Sequence, residues 1–205
     1  WEPGVRVVLT RNDQYWGGAR KIRQAMYVPF IEAQARLSAI KTGEIDMTMD
    51  VPPDSLEDLR KDPDVVVAEA NSSAVWYVAL NTRHPALKDR RVRQALNYAV
   101  QKDAIIRDIL KGTAIVATTP LSPGYGPYHE DKTVRYPHDP EKAKALLKEA
   151  GYANGFDVTF FVPESGSGMQ SAVEMGTVIQ ANLAAVGVRA KIQTMEWGAY
   201  LKKYL

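Results

Sequence analysis

One stretch, residues 75–111, constrains the fold more than any other part of the chain. It opens with residues 75–80, an unbroken run of β-branched, aromatic and small apolar side chains. Such a run predicts a strand that is buried on both faces of a sheet. Pro85 ends the pattern, because it lacks a backbone N–H and keeps the preceding residue out of the helical region. The stretch is thus predicted to form a buried strand, a proline turn and a long helix.

The helix of this stretch is predicted from its caps and its apolar spacing. Asp89 has N-cap chemistry, and Gly112 suits the position that follows a helix end. Between them, apolar residues recur at helical spacing, so residues 89–111 are expected to form one helix of about six turns. Leu96 and Ile106 are predicted to be core residues of its inward face.

The rest of the chain alternates between strand and helix patterns, because its apolar period switches between two and about 3.6 residues. This alternation predicts an α/β fold. The predicted strands are residues 5–10, 26–31, 44–51, 65–68, 156–162 and 188–195. The predicted helices are residues 33–41, 139–150 and 170–186, with a short helix starting at residues 52–55 and another after residues 196–198.

Composition excludes several classes of protein. A length of 205 residues with 45% hydrophobic content allows a sizeable core and one or two domains. The net charge of +2 and the absence of a Lys/Arg tract argue against nucleic-acid binding. Without cysteine there is no disulfide scaffold or thiolate metal site, and no apolar run is long enough to span a membrane. The chain starts at Trp1, so we interpret it as a fragment.

Catalytic patterns find little support in the sequence. His84, His129 and His138 fall in predicted loops without the spacing of a helix-borne metal site, and are expected to be solvated. No pair of carboxylates stands out as acid and base. The glycine-serine turn at residues 166–168 does not complete a dinucleotide motif, because Ser171 stands where a third glycine is needed. The sequence therefore predicts a protein without catalytic residues, metal or cofactor.

Four motifs, in this order, carry a resemblance to a known family. They are RNxxYWGG from residue 11, NTxxPxLxDxRVRQAL from residue 81, YxxDPEKAKALLKEAGY from residue 136 and IQxxLxxVGV from residue 179. Together they resemble the bacterial extracellular solute-binding proteins that serve dipeptide and oligopeptide ABC importers. The resemblance covers essentially the whole chain.

This resemblance implies a two-lobed, class II periplasmic-binding-protein-like α/β fold that closes on its ligand like a hinged trap. Residues 1–74 would belong to the first lobe, residues 75–81 would cross between the lobes, and residues 82–205 would form the second lobe. The protein would be a monomer outside the cytoplasm, free or anchored by lipid. Its partners would be a peptide or small solute and the transmembrane subunits of an ABC permease.

The ligand-binding residues are predicted at the strand ends that face the cleft, because helices cover the faces of the sheet. Aromatic rings there can stack on a ligand, and backbone N–H groups of residues 165–170 can bind its oxygen atoms. For Met169, the alternative to ligand binding is core packing. For residues 125–128, the alternative is a surface loop without a role in binding. The predicted set is Trp76, Tyr77, Asn81, Tyr125, Tyr128, Ser165, Gly166, Ser167, Met169, Gln170 and Trp197.

One departure from the family pattern bears on the ligand. The resemblance implies an arginine in the turn after strand 156–162, where dipeptide receptors pair it with the ligand's carboxylate. Gly166 stands at that position, and no Arg or Lys occurs between Pro163 and Val188. Losing a bidentate charge-assisted contact removes a main anchor for a free carboxylate, which disfavours a dipeptide. A longer peptide, a sugar and a metal chelate stay open as ligands. A fragment of an enzyme whose catalytic residues lie outside this segment stays open as an alternative function.

Overall fold

The computed structural model describes residues 1–130, 135–164 and 168–204. Helices and strands are mixed, as the sequence predicts. The chain divides into two compact units. The first consists of Trp1–Val51 with Asp62–Val65, and the second of Pro52–Lys61 with Val66–Leu205.

The first unit holds an antiparallel hairpin and one helix. Strands β1 (Val7–Thr10) and β2 (Gln24–Tyr27) pair with Val7 opposite Tyr27. Helix α1 (Ala33–Lys41) has the predicted bounds. The predicted strand 26–31 is wrong beyond residue 27, and the predicted strands 44–51 and 65–68 are not strands. A strand needs a neighbour for its backbone hydrogen bonds, and no strand lies beside these segments in the described part of the chain.

The second unit is built on a parallel pair of strands, β3 (Phe156–Pro163) and β4 (Val188–Met195), as predicted. Their register pairs Phe156 with Val188 and Pro163 with Met195. The chain enters both strands through glycines in close contact, since a Cβ on Gly155 would lie 1.7 Å from the carbonyl oxygen of Gly187. At the same end, Arg189 forms a two-point ion pair with Asp157, at 2.8 and 3.0 Å.

Among the described residues, the second unit also holds seven helices, a π-helical turn and 3₁₀ turns at Pro53–Ser55 and Pro123–Tyr128. A 3₁₀ turn (Pro53–Ser55) leads into α2 (Leu56–Lys61), and a π-helical turn (Ile105–Ile109) follows α5. The remaining helices are α3 (Pro85–Lys88), α4 (Arg90–Ala99), α5 (Lys102–Ala104), α6 (Pro140–Glu149), α7 (Ala172–Ala184) and α8 (Trp197–Tyr204). None of the described helices is long and apolar enough to cross a membrane.

The predicted caps of two of these helices are confirmed. The carboxylate of Asp89 accepts a hydrogen bond from the backbone N–H of Arg91 at 2.8 Å. The carboxylate of Asp139 accepts one from the backbone N–H of Lys142 at 2.9 Å, with Pro140 at the first helical position. These contacts satisfy N–H groups that a helix start leaves without partners.

The single long helix predicted for residues 89–111 is wrong, because the chain is extended at Val100. At the break, the chain forms hydrogen bonds that differ from those of a continuous helix, two of them with distant residues. The N–H of Gln101 donates to the side-chain oxygen of Asn182 at 3.0 Å, and the ammonium of Lys102 donates to the carbonyls of Asn97 and Tyr136 at 2.7 and 3.2 Å. Burial lowers the pKa of Lys102, so these acceptors stabilise a partly desolvated charge.

The predicted buried strand 75–81 is also wrong. Residues 75–80 lie outside any strand, and Trp76 and Tyr77 keep 38% and 77% of their surface exposed. An apolar run alone cannot supply the hydrogen-bonding neighbour that a strand requires, and no neighbour is present among the described residues. Leu80 alone of this run packs against the core.

The core of the second unit lies between the β3–β4 pair and helices α4, α6 and α7. Leu96 is only partly buried against it, and Ile106 is partly buried against a second cluster of Ile105, Leu110 and Met175. The prediction that both are core residues therefore holds only in part. The buried residues of the main core are Ala86, Leu87, Val92, Ala95, Ala99, Ala143, Leu147, Phe156, Leu183, Val186, Val188 and Ala190.

Candidate ligand-binding site

The carboxyl ends of β3 and β4 meet at one edge of the second unit. Pro163 pairs with Met195 there, and the N–H of Glu164 extends the ladder by donating to the carbonyl of Met195 at 2.9 Å. The predicted binding turn and the predicted binding residue Trp197 follow these two strand ends directly. Ligands of open α/β sheets bind at such an edge, because helices cover the faces.

The turn after β3 is described only in its second half. The predicted contacts at Ser165, Gly166 and Ser167 lie outside the described residues. Met169 and Gln170 are both partly buried, and Met169 packs against the cluster that contains Met175. Met169 thus packs in a hydrophobic cluster in this structure. Core packing was the alternative to ligand binding that the sequence left open for this residue.

The first turn of α8 is fixed by its capping residue. The carboxylate of Glu196 accepts hydrogen bonds from the backbone N–H groups of Gly198 and Ala199, at 2.8 and 3.1 Å. These two bonds lower the pKa of Glu196, because they stabilise its ionised form. The cap therefore fixes the position of Trp197 relative to the end of β4.

Trp197 is joined by two tyrosines. Its ring stacks on that of Tyr200, with 5.2 Å between centroids and 17° between planes. Burial is the larger cause that raises the pKa of Tyr200, and electrostatic interaction with Tyr77 raises it further. Tyr77 and Trp197, predicted from separate parts of the sequence, thus both interact with Tyr200, Trp197 by ring stacking and Tyr77 electrostatically. The sequence prediction missed Tyr200, although its spacing of three residues from Trp197 places both on one helix face.

Two cations of α8 and β4 have partners in this unit. The ammonium of Lys203 lies 4.1 Å from the ring centroid of Phe161, a cation–π contact. Arg189 belongs to β4 but pairs with Asp157 at the opposite end of the strands. The arginine that the resemblance implies for the turn thus has no equivalent at its position in the sequence.

The loop that carries Tyr125 and Tyr128 is anchored at both ends. The hydroxyl of Ser122 donates to the carbonyl of Ser72 at 2.8 Å, four residues before Trp76. Nδ1 of His129 lies 2.8 Å from the carbonyl oxygen of Leu121 and closes the loop. Both tyrosines are exposed, Tyr128 with 75% of its surface. The loop therefore lies beside the start of the segment that carries Trp76, Tyr77 and Asn81.

The three histidines differ in their surroundings. The ring of His84 packs 6.0 Å from that of Phe156, and its buried Nδ1 has no hydrogen-bond partner among the described residues. The prediction of a solvated His84 is wrong, because α3 starts at Pro85 and turns the ring toward the core. His138 is exposed, as expected. Across the described ranges, no three acidic or histidine side chains form a group that could hold a metal ion.

Two concavities of about 290 and 380 Å³ lie in the first unit, along the β1–β2 hairpin. The first is lined by residues from Trp1 to Val7 and from Tyr27 to Pro29, and the second by residues from Leu9 to Tyr15 and from Arg20 to Ala25. None of the predicted binding residues lines either of them.

Comparison with known proteins decides the family. The family model for bacterial extracellular solute-binding proteins, family 5 middle region, matches residues 1–205. The chain belongs to this family. Among its curated relatives, the dipeptide-binding protein of Escherichia coli (strain K12) is 36% identical over 99% of this chain and 38% of its own length. Heme-binding protein A of Haemophilus influenzae is 35% identical over 94% of this chain and 35% of its own length.

A solved structure of a periplasmic binding protein has the same fold. The periplasmic binding protein DppA from Helicobacter pylori, in complex with the peptide STSA, matches with a TM-score of 0.84 and 32% identity. The match covers 99% of this chain and 38% of that one. The predicted periplasmic-binding-protein-like fold is thus confirmed, and the chain spans less than two fifths of the length of these relatives.

Proposed function

We propose that the protein is the substrate-binding component of an ABC importer, which captures a peptide or a similar small solute and delivers it to a membrane permease. Membership of family 5 supports this function. The observation that carries it is the stacked pair of Trp197 and Tyr200, which directly follows the carboxyl end of β4 beside that of β3. Aromatic faces at such an edge can bind a ligand without performing chemistry on it.

The proposed organisation follows the family. Residues 1–74 contribute to a first lobe and residues 82–205 to a second, with residues 75–81 crossing between them. The exposed aromatic side chains of the crossing segment would then face the ligand. Closure of the lobes would bury the ligand and present the closed form to the permease. The protein would act as a monomer outside the cytoplasm.

The proposed ligand class is a peptide whose terminal carboxylate is not the main anchor. The relatives named above bind a dipeptide, by name, and haem, so family membership leaves the ligand open. The chain has Gly166 in place of a ligand-pairing arginine. Stacking on Trp197 and hydrogen bonds from the backbone of the turn would then supply the binding energy, and neither requires a charged end on the ligand.

The function is tested on the full-length protein by mass spectrometry of the ligand that it retains after purification under native conditions. We expect to recover peptides, and calorimetry with the recovered peptide should give a single site. Recovery of a sugar, a chelate or haem would overturn the peptide assignment but preserve the receptor function. Turnover of the recovered ligand by the protein would overturn the receptor function itself.

A further inference from the structure

We propose that Ser122 and Gly124 are positioning residues for ligand binding. They would clamp the loop of Tyr125 and Tyr128 to Ser72, so that this loop and residues 76–81 form one wall of the site. The inference rests on the proposed function, because it assigns a role within the same site. It goes beyond that function by naming two residues that act without touching the ligand.

The first observation is the hydrogen bond of Ser122. Ser122 is only 9% exposed, and its hydroxyl donates to the carbonyl of Ser72 at 2.8 Å across 50 residues of sequence. A buried hydroxyl that keeps its partner is stabilising, whereas its removal leaves the Ser72 carbonyl without that donor. The hydroxyl of Ser72 in turn accepts from the N–H of Ala74 at 3.0 Å, which fixes the local backbone before Trp76.

The second observation is the closeness of Gly124, and it is independent of any side-chain hydrogen bond. A Cβ at this position would lie 2.7 Å from the carbonyl oxygen of Ser72 and 3.0 Å from the nitrogen of Ser73. Real Cβ atoms do not approach backbone atoms this closely, so any side chain would force the loop away. Gly124 thus allows two backbone segments to pack directly on each other.

These two contacts have a consequence for binding. Residues 113–130 form a long connection in which the only regular structure is two short 3₁₀ turns spanning Pro123–Tyr128. Such a loop loses conformational entropy when a ligand orders it, and that loss weakens affinity. A clamp made before the ligand arrives removes part of this cost. The clamp also holds Tyr125 in place, because this residue directly follows Gly124, where the two backbone segments are closest.

The test uses the full-length protein with Ser122→Ala and Gly124→Ala, and the recovered ligand or the tetrapeptide STSA as probe. Thr42→Val is the matched control, because it removes a hydroxyl that donates to a backbone carbonyl at 3.0 Å in the first unit. Calorimetry and stopped-flow fluorescence give the affinity and the dissociation rate. Hydrogen exchange without ligand gives the protection of residues 113–130, and urea denaturation gives the stability.

We expect both clamp variants to bind the probe about fivefold to tenfold more weakly, mainly through faster dissociation. Exchange in residues 113–130 should rise in the ligand-free variants and return toward wild type when ligand is bound. If both variants lose stability but bind like Thr42→Val, the clamp is only structural and the inference is overturned, while the receptor function stands. If the wild-type protein retains no ligand and does not bind STSA, the proposed function fails, and the inference fails with it.

Discussion

The indole of Trp197 lies almost parallel to the phenol ring of Tyr200, with 5.2 Å between the ring centroids. The two residues are three positions apart on α8, and the carboxylate of Glu196 fixes the turn that presents them. A stacked pair of this kind offers a flat apolar surface whose rings are already ordered. Ligand binding would then require little further loss of side-chain freedom.

This pair gives the first prediction. In full-length protein, Trp197→Ala should weaken binding of the recovered ligand at least tenfold, because a large stacking surface is lost. Trp197→Phe retains an aromatic face and should lose less. Trp16→Ala, which removes a tryptophan from the first unit, is the control and should bind like wild type. Equal affinities of all three variants in calorimetry would exclude Trp197 from the site.

The second prediction concerns the ligand's carboxylate. No Arg or Lys occurs in residues 164–187, so a recovered peptide and its C-terminal amide should bind with affinities within about threefold. Raising the ionic strength from about 0.01 to 0.15 M should change either affinity little, since screening acts on charge–charge contacts. Calorimetry of both ligands measures this. Complete loss of binding on amidation would mean that a cation elsewhere in the protein anchors the carboxylate.

The third prediction compares a leucine of the main core with one that packs against it. Leu147 is 1% exposed on α6, so Leu147→Ala should cost about 2–5 kcal/mol of unfolding free energy. Leu96 is only partly buried, so Leu96→Ala should cost less, about 1–2 kcal/mol. Urea denaturation gives both values. Ile115→Ala, at an exposed position, should change stability by less than about 0.5 kcal/mol and serves as control. A larger loss for Leu96 than for Leu147 would contradict the packing described here.

The fourth prediction concerns the N-cap of α4. Hydrogen bonds from the side chain and backbone of Arg91 lower the pKa of Asp89 below its usual value of 3.8. A lowered carboxyl pKa contributes stability that is fully present above the unfolded-state pKa and is lost as pH falls through the folded-state value. Stability should therefore decline below about pH 4, and Asp89→Asn should make that decline shallower.

The measurement is urea denaturation between pH 2.5 and 7 of wild type and Asp89→Asn. Ile115→Ala, at an exposed position without a titratable group, is the control and should keep the wild-type slope. Parallel curves for wild type and Asp89→Asn across this range would contradict a contribution from the cap.

Features set by neighbouring residues could be predicted from the sequence. The bounds of α1 and α6 follow from caps and apolar spacing within one helix, and β3 and β4 follow from short runs of strand-forming residues. The family motifs added the fold class, because their order is specific even where each motif is common.

Features set by distant contacts could not be predicted. The break at Val100 depends on Asn182 and Tyr136, which lie 81 residues after Gln101 and 34 residues after Lys102. The run at residues 75–80 has the composition of a buried strand but no neighbouring strand in the described residues, and composition cannot supply one. Tyr200 was missed although it lies three residues after Trp197, and its electrostatic interaction with Tyr77 depends on the fold.

The two ends of the β3–β4 pair have different roles. Contact between Gly155 and Gly187, together with the ion pair of Asp157 with Arg189, fixes the alignment of the strands at one end. The residues proposed to contact a ligand follow the other end of the strands, each of which is 8 residues long. On the proposed function, substitutions at that end would alter selectivity without shifting the strands. New ligand preferences could then be engineered by changing one turn and the start of one helix.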